Sequence, residues 1–372
     1  MTIDFTKLAA EGVQGLRAYQ PGKPIDELAR EYDLHPSEIV KLASNENPLG
    51  PSDKALVAIQ AELSDLTRYP DGNGFDLKSA LSTSLFINNN QITLGNGSSD
   101  ILEFIIKCFV SKNDEVIVSQ HAFAIYGLVT KTVGGKLIQV PAKNWGHDLS
   151  AMAAAVTDKT KIIFVTNPNN PTGTWITKSE LETFLNVVPK HVIVLLDEAY
   201  FEYVGEADYP NGIDYLAQHP NLVVTRTFSK AHGLAALRVG YGVSSPELAD
   251  LMNRVRPPFN VNSLGLAAAT ACVKDKEYMQ QSKVLNDQGL RQIEAGLDNL
   301  GLSWIPSVGN FICLEIPGQA MSINQKLLEN GVIVRAVGNY EMPDHLRVSI
   351  GTQKENEVFL SKLKLLLTQP EK

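Results

Sequence analysis

Between about residues 45 and 260 short β-branched runs alternate with amphipathic stretches: QITLG then SSDILEFIIKCFV, DEVIVS then AFAIYGLVTKTV, KLIQV, KIIFVTN then TKSELETFLNVV, HVIVLLDEAY, and LVVTRTF. Several of the runs are apolar nearly throughout, as strands covered on both faces are, and the stretches between them carry a helical period. This alternation predicts an α/β unit: a mostly parallel central sheet wrapped by helices. After Pro257-Pro258 the texture changes. A helical region from about 262 to 300 leads into SWIPS, NFICLEI, a helix around INQKLLENG, VIVRAV, HLRVSIG and a final helix KENEVFLSKLKLLL, the pattern of a smaller α+β unit. The expected division is a large unit over 45–260, with 1–44 and 261–372 forming an N-terminal arm plus the small C-terminal unit. Within the arm, PGKPIDELAREYDL starts a helix at Pro24 with Asp26 and Glu27 in its first turn, where the helix dipole favours acids.

The chain has 372 residues, 44% of them apolar, and its 33 Lys+Arg against 41 Asp+Glu leave a net charge of −8. A core of that size needs no disulfide or metal staple. The acidic balance, without a Lys/Arg run, argues against a nucleic-acid surface. No stretch reaches the roughly 18 apolar residues of a membrane span, and the N-terminus has no apolar signal-peptide core, so the expected location is the cytoplasm, with no membrane partner. Cys108, Cys272 and Cys313 lie far apart in apolar surroundings and read as core thiols. None of the seven histidines falls in a close ligand pair, so no metal is expected.

Ligands of open α/β sheets bind beyond the carboxyl ends of the strands. Here those ends are unusually polar. Asn167-Pro168-Asn169-Asn170-Pro171-Thr172-Gly173 follows KIIFVT, Asp197-Glu198-Ala199-Tyr200 follows HVIVLL, and Phe228-Ser229-Lys230 follows LVVTRT. A lysine just past a buried strand, with Arg238 nearby in sequence, is poorly solvated and close to another cation. Both effects lower its pKa and make it a nucleophilic amine. Such a lysine suits the aldehyde of pyridoxal phosphate, whose ring nitrogen needs an acid partner, and Asp197 supplies one. Asn170 and Tyr200 can hydrogen-bond the ring's phenolic oxygen. A lone Asp at a strand end is usually a helix cap and a lone loop lysine a solvated charge. The ordered set NPNNPTG, DEAY, SKAHGLAALRVG is what points to a cofactor.

Gly95-Asn96-Gly97-Ser98-Ser99-Asp100 follows a strand and opens a helix, placing backbone N–H groups and hydroxyls around an anion. Asp100 stands where a dinucleotide fingerprint needs its third Gly, which demotes a nicotinamide-dependent oxidoreductase. Thr227, Ser229 and Arg238 complete the expected phosphate shell, and Phe123 is placed to stack on the ring. Arg335 in VIVRAV and Arg347 in HLRVSIG sit in strand-like runs, where a guanidinium fork either pairs with a carboxylate or receives an anionic substrate. Substrate binding is the favoured expectation. His232 reads as a structural neighbour of Lys230 rather than a general base.

With these residues in place, the sequence resembles the fold-type I pyridoxal-phosphate aminotransferases over nearly its whole length, through KLASNENPLGPS, RYPDGNG, GNGSSD, NPNNPTG, DEAYFEY, SKAHGLAALRVGY and LRVSIGT. The N-terminal LRAYQPGKPIDELARE narrows the resemblance to members acting on histidinol phosphate. The resemblance implies pyridoxal 5'-phosphate held covalently by Lys230, with Asp197 on the ring nitrogen and Asn170 and Tyr200 on the phenolic oxygen. Gly97, Ser98, Ser99, Thr227, Ser229 and Arg238 would hold the phosphate. Tyr69 would reach the cofactor phosphate of a second subunit, making a homodimer with shared sites. Tyr19, Asn45, Arg335 and Arg347 would contact substrate. The implied reaction is a ping-pong amino transfer between L-histidinol phosphate and 2-oxoglutarate in histidine biosynthesis, with Lys230 moving the proton. Phe123 without a hydroxyl, His232 in place of an aromatic residue, and GSSD for the commoner GSDE depart from the family pattern. Amino transfer to aromatic substrates, lyase or decarboxylase chemistry on the same cofactor, and a cofactor-binding protein without turnover remain alternatives.

Overall fold

The computed structural model describes residues 3–18 and 22–368. Its largest element is a seven-stranded sheet. In chain order the strands are β1 (Ile92–Asn96), β2 (Glu115–Ser119), β3 (Lys136–Val140), β4 (Thr160–Thr166), β5 (Ile193–Asp197), β6 (Leu222–Thr227) and β7 (Val239–Ser244). Across the sheet they run β1-β7-β6-β5-β4-β2-β3, and β7 alone is reversed, pairing antiparallel with both β6 and β1. The mostly parallel expectation holds, and the reversed strand has a local cause. From β6 the chain turns back through the short segment 228–238, with no helix long enough for a crossover, so β7 returns antiparallel.

Alternation along the central strands explains their uniformly apolar sequences. Ile162, Phe164, Ile193, Leu195 and Val223 enter one core, whereas Ile163, Val165, Val194, Leu196 and Val224 enter the core on the opposite face. Each strand is therefore buried on both sides, and its first free polar positions come at the C-terminal tips. That geometry delivers Thr166, Asp197 and Thr227 to one edge.

The smaller unit holds a four-stranded sheet of β8 (Trp304–Ile305), β9 (Phe311–Glu315), β10 (Arg335–Ala336) and β11 (His345–Ser349), in the order β10-β11-β9-β8. Ile312, Leu314, Leu346 and Val348 pack with Ile293 and Leu297 of the helix Lys276–Leu300 and with Phe359 and Leu363 of the helix Gln353–Thr368. The helix Ser263–Val273 lies beyond the division expected near residue 260, yet its Ala268, Ala269 and Cys272 belong to the large core. The chain from Val40 to Leu42 joins the small unit, where Val40 and Lys41 pair in parallel with Val332 and Ile333.

Candidate active site

A cavity of about 290 Å³ lies between the strand tips of the large sheet and the small unit. From the large side it is lined by Ser98, Ser99, Phe123, Thr166, Asn170, Asp197, Tyr200, Thr227, Ser229, Lys230 and Arg238. From the other side come Gly22, Ala43, Ser44, Asn45, Arg335 and Arg347. Nearly every candidate named from sequence is thus gathered at one place.

Asp197, 3% exposed, ends the central strand β5. One carboxylate oxygen accepts from the Tyr126 hydroxyl at 2.8 Å and the other from Thr225 Oγ1 at 3.0 Å. Burial raises its pKa above the ordinary carboxylate value, and these hydrogen bonds work in the opposite direction. An acid held this way is ready for a cationic ring nitrogen, which would restore its ionised form. Tyr126 stacks on Phe164 with centroids 4.4 Å apart, and its hydroxyl also meets Thr166 Oγ1 at 2.7 Å. Tyr126 was not among the sequence candidates. Its signal was faint: it lies three residues after Phe123, one turn along the helix Ala124–Thr132, so both rings face the strand tips.

Lys230 follows β6 on a tight turn and donates from Nζ to the Ser44 carbonyl at 3.0 Å. Burial first, then the neighbouring guanidinium of Arg347 and that of Arg238, push its pKa down to about 7, against the pull of Glu46 and Asp197. The amine is therefore substantially neutral, and nucleophilic, at physiological pH. Its Nζ stands 5.8 Å from the centre of the Tyr200 ring. Burial raises the Tyr200 pKa to about 12, so its phenol stays protonated.

The helix Ser98–Phe109 begins at Gly97, which has φ +83° and gives no side-chain cap, leaving the first-turn N–H groups for an anion. A Cβ on Gly97 would come within 2.3 Å of Arg238 Nη2, so glycine is what lets the guanidinium close on this turn. Arg238 also donates to Ser229 Oγ at 3.1 Å. Asp100 staples the turn, its carboxylate accepting from the Asn96 N–H at 2.8 Å and from Asn260 Nδ2 at 3.0 Å.

Arg347 on β11 is 7% exposed, donates to the Asn170 side-chain oxygen and, at 2.7 Å, to the Ala43 carbonyl. Its Nε is buried without a hydrogen-bond partner among the described residues. Arg335 sits directly across from it in the β10–β11 pairing, and both line the cavity. Two guanidinium groups converging on one small space favour an anionic guest. Phe123 lines the cavity with its ring edge against Tyr126, centroids 5.8 Å apart. Asn45 is buried and bonds the Tyr200 hydroxyl from Nδ2 at 2.9 Å. Tyr69 is not brought to this cavity: it is 82% exposed and stacks on Phe259 at 4.7 Å. Tyr19 lies outside the described residues.

Residues 37–363 match the sequence profile of the family described as aminotransferase class I and II. The chain belongs to that family. Among its relatives, histidinol-phosphate aminotransferase 2 of Pseudomonas fluorescens strain Pf0-1 is 58% identical, the match covering 99% of this chain and all of the relative. Histidinol-phosphate aminotransferase 2 of Pseudomonas aeruginosa is 56% identical over 97% of this chain and 98% of its own. The crystal structure of histidinol-phosphate aminotransferase from Sinorhizobium meliloti, in complex with pyridoxal-5'-phosphate, superposes with a TM-score of 0.88 at 27% identity, covering 96% of this chain and 98% of that one. The chain is thus an aminotransferase of fold-type I, with the large α/β unit and smaller α+β unit that its hydrophobic pattern predicts.

Proposed function

We propose that this aminotransferase carries an amino group from L-histidinol phosphate to 2-oxoglutarate, in histidine biosynthesis, with pyridoxal 5'-phosphate in the cavity between its two units. Relatives bearing that activity in their names match at more than half identity over nearly the full length. The single observation that carries the substrate class is the facing pair Arg335 and Arg347, which suits a phosphate ester and a dicarboxylate in turn.

The residues fit the cofactor. A glycine-opened helix start with Ser98, Ser99, Ser229 and Arg238 suits its phosphate, the buried Asp197 its ring nitrogen, and the depressed Lys230 its aldehyde. Pyridoxal phosphate supplies an aldehyde that takes up the amino group and a ring that accepts electrons from the substrate carbon. Around it, Asp197 would keep the ring nitrogen protonated, and Asn170 and Tyr200 would hydrogen-bond the phenolic oxygen. Phe123, which lines the cavity, would cover one ring face. Arg347 would fix the substrate anion in the cavity that Lys230 also lines. The Nζ of Lys230 would take up a proton from the substrate and give it back, a role its lowered pKa favours.

The assembly in this reading is a homodimer. Val57, Leu66, Tyr69 and Phe75 are all exposed by more than half, an apolar surface that a second copy would cover. Tyr69 from that copy would reach the phosphate end of the neighbouring cavity. Among the described residues no helix is long and apolar enough to cross a membrane, and the proposed location is the cytoplasm. Steady-state kinetics with 2-oxoglutarate test the substrate. The kcat/KM for L-histidinol phosphate is expected to exceed that for L-phenylalanine at least about tenfold, because phenylalanine offers the facing guanidinium groups a singly charged carboxylate where L-histidinol phosphate offers a doubly charged phosphate. A preference for phenylalanine or tyrosine would overturn the assignment in favour of aromatic amino transfer.

A further inference from the structure

Strand β11 presents Arg347 and, two residues on, Ser349 to the same side. Ser349 is 3% exposed and stands at the end of an ordered set of donors and acceptors. Its Oγ accepts the backbone N–H of Asn45 at 2.8 Å and donates to Asn45 Oδ1 at 3.0 Å. The Asn45 amide is then oriented with Nδ2 toward Tyr200, whose hydroxyl oxygen accepts it at 2.9 Å. Asn45 has φ +53° and is 1% exposed, and the Asn310 side chain grips its carbonyl at 3.0 Å, so its backbone has no freedom to compensate. A phenol has one proton to give. With its oxygen already accepting from Asn45, Tyr200 directs that proton away from the amide and into the cavity.

We propose that Ser349 is a positioning residue: its hydroxyl sets the orientation of the Asn45 amide, and the amide turns the Tyr200 O–H toward the cofactor's phenolic oxygen. This rests on the placement of the cofactor given above. It also ties the anion-binding strand to the group that tunes the cofactor, since Arg347 and Ser349 stand on one strand. Without the Ser349 hydroxyl the amide is free to reverse, presenting Oδ1 to Tyr200 and capturing the phenolic proton. The same atoms then no longer donate to the cofactor.

The test is a pH titration of the holoenzyme's visible spectrum, read without substrate. Donation to the phenolic oxygen favours its anionic form, so losing it raises the pH at which the lysine-bound cofactor gives up its proton. Tyr200→Phe should raise the midpoint by about one pH unit and Ser349→Ala by about half a unit, with no further shift in the double variant beyond Tyr200→Phe alone. Ser349→Cys, which keeps an unbranched side chain in the same space but donates weakly, should shift in the same direction if the alanine variant melts early. A midpoint unchanged in both Ser349 variants while Tyr200→Phe shifts it would overturn the relay. Additive shifts in the double variant would do the same, showing that Ser349 acts through another route. If Tyr200→Phe leaves the midpoint alone, the failure lies in the placement of Tyr200 against the cofactor.

Discussion

Asp197 and Arg347 both line the cavity, but they are held by different means. Asp197 ends a strand whose neighbours fill two cores, and its partners Tyr126 and Thr225 belong to the same large unit. Arg347 stands on the small sheet and is fixed by Asn170 from the large unit and by the Ala43 carbonyl from the segment between them. The Asp197 half is therefore rigid with respect to one body, whereas the Arg347 half depends on how two bodies meet, a dependence shared by Tyr200 through Asn45 and Ser349. The carboxylate that Asp197 offers is insensitive to small shifts between the units. Recognition placed on the second half responds to them, which suits a pocket that must accept two different anions in alternation.

Substitutions on the two halves should separate accordingly. Lys230→Ala is expected to lower kcat by at least about 10⁴-fold with the fold retained, because proton transfer and cofactor attachment are both lost. Circular dichroism checks the fold, and undiminished turnover would remove Lys230 from the mechanism. Arg347→Ala should lower kcat/KM by about a hundredfold for both amino donors, mostly through KM. A loss confined to one donor would mean that the cavity divides its anion sites between Arg347 and Arg335. Tyr126→Phe removes one of the two side-chain hydrogen bonds to Asp197 and should cost about tenfold in kcat, with KM nearly unchanged, the reverse of the Arg347 signature.

The smallest expected effect concerns stability. Burial lowers the pKa of both His147 and His232 to about 4, below the unfolded value near 6.5. Between those limits the unfolded chain binds more protons than the folded one. Their contribution to stability is thus full above pH 6.5 and declines as pH falls toward 4, by up to about 1.4 kcal/mol per unit for each histidine. Glu202, facing His232 and raised by burial to about 7, contributes a slope of opposite sign over the same range, so the readout is the change on substitution: thermal melts of His232→Phe, which keeps a ring against Phe228, should show stability falling less steeply toward acid than in the parent. A slope unaltered by that change would place the proton uptake elsewhere.

Most of the large unit was legible in the chain because its strands are apolar on both faces, so the first polar residue after each run marks a strand tip. Asp197, Asn170 and Lys230 were visible for that reason. Tyr126 was not, since a tyrosine on an amphipathic helix looks like any core ring until Asp197 is placed beside it. Ser349 was hidden in the same way, because its partner Asn45 lies 304 residues away. Nor did the pattern show that Ser263–Val273 packs with the large core. Its run of small residues, SLGLAAATACV, is apolar almost all round, so it gives no facing direction and its partner is settled only by tertiary packing.

The central claim is that one cavity unites the cofactor chemistry of Asp197 and Lys230 with recognition of a phosphate-bearing amine by Arg335 and Arg347. Its most direct test is the absorbance spectrum of the purified holoenzyme before and after addition of L-histidinol phosphate, with no keto acid present. The visible band of the lysine-bound cofactor is expected to give way to that of its amine form in a single half-reaction. A band that is present but does not respond to L-histidinol phosphate, while phenylalanine or tyrosine converts it, would contradict the claim.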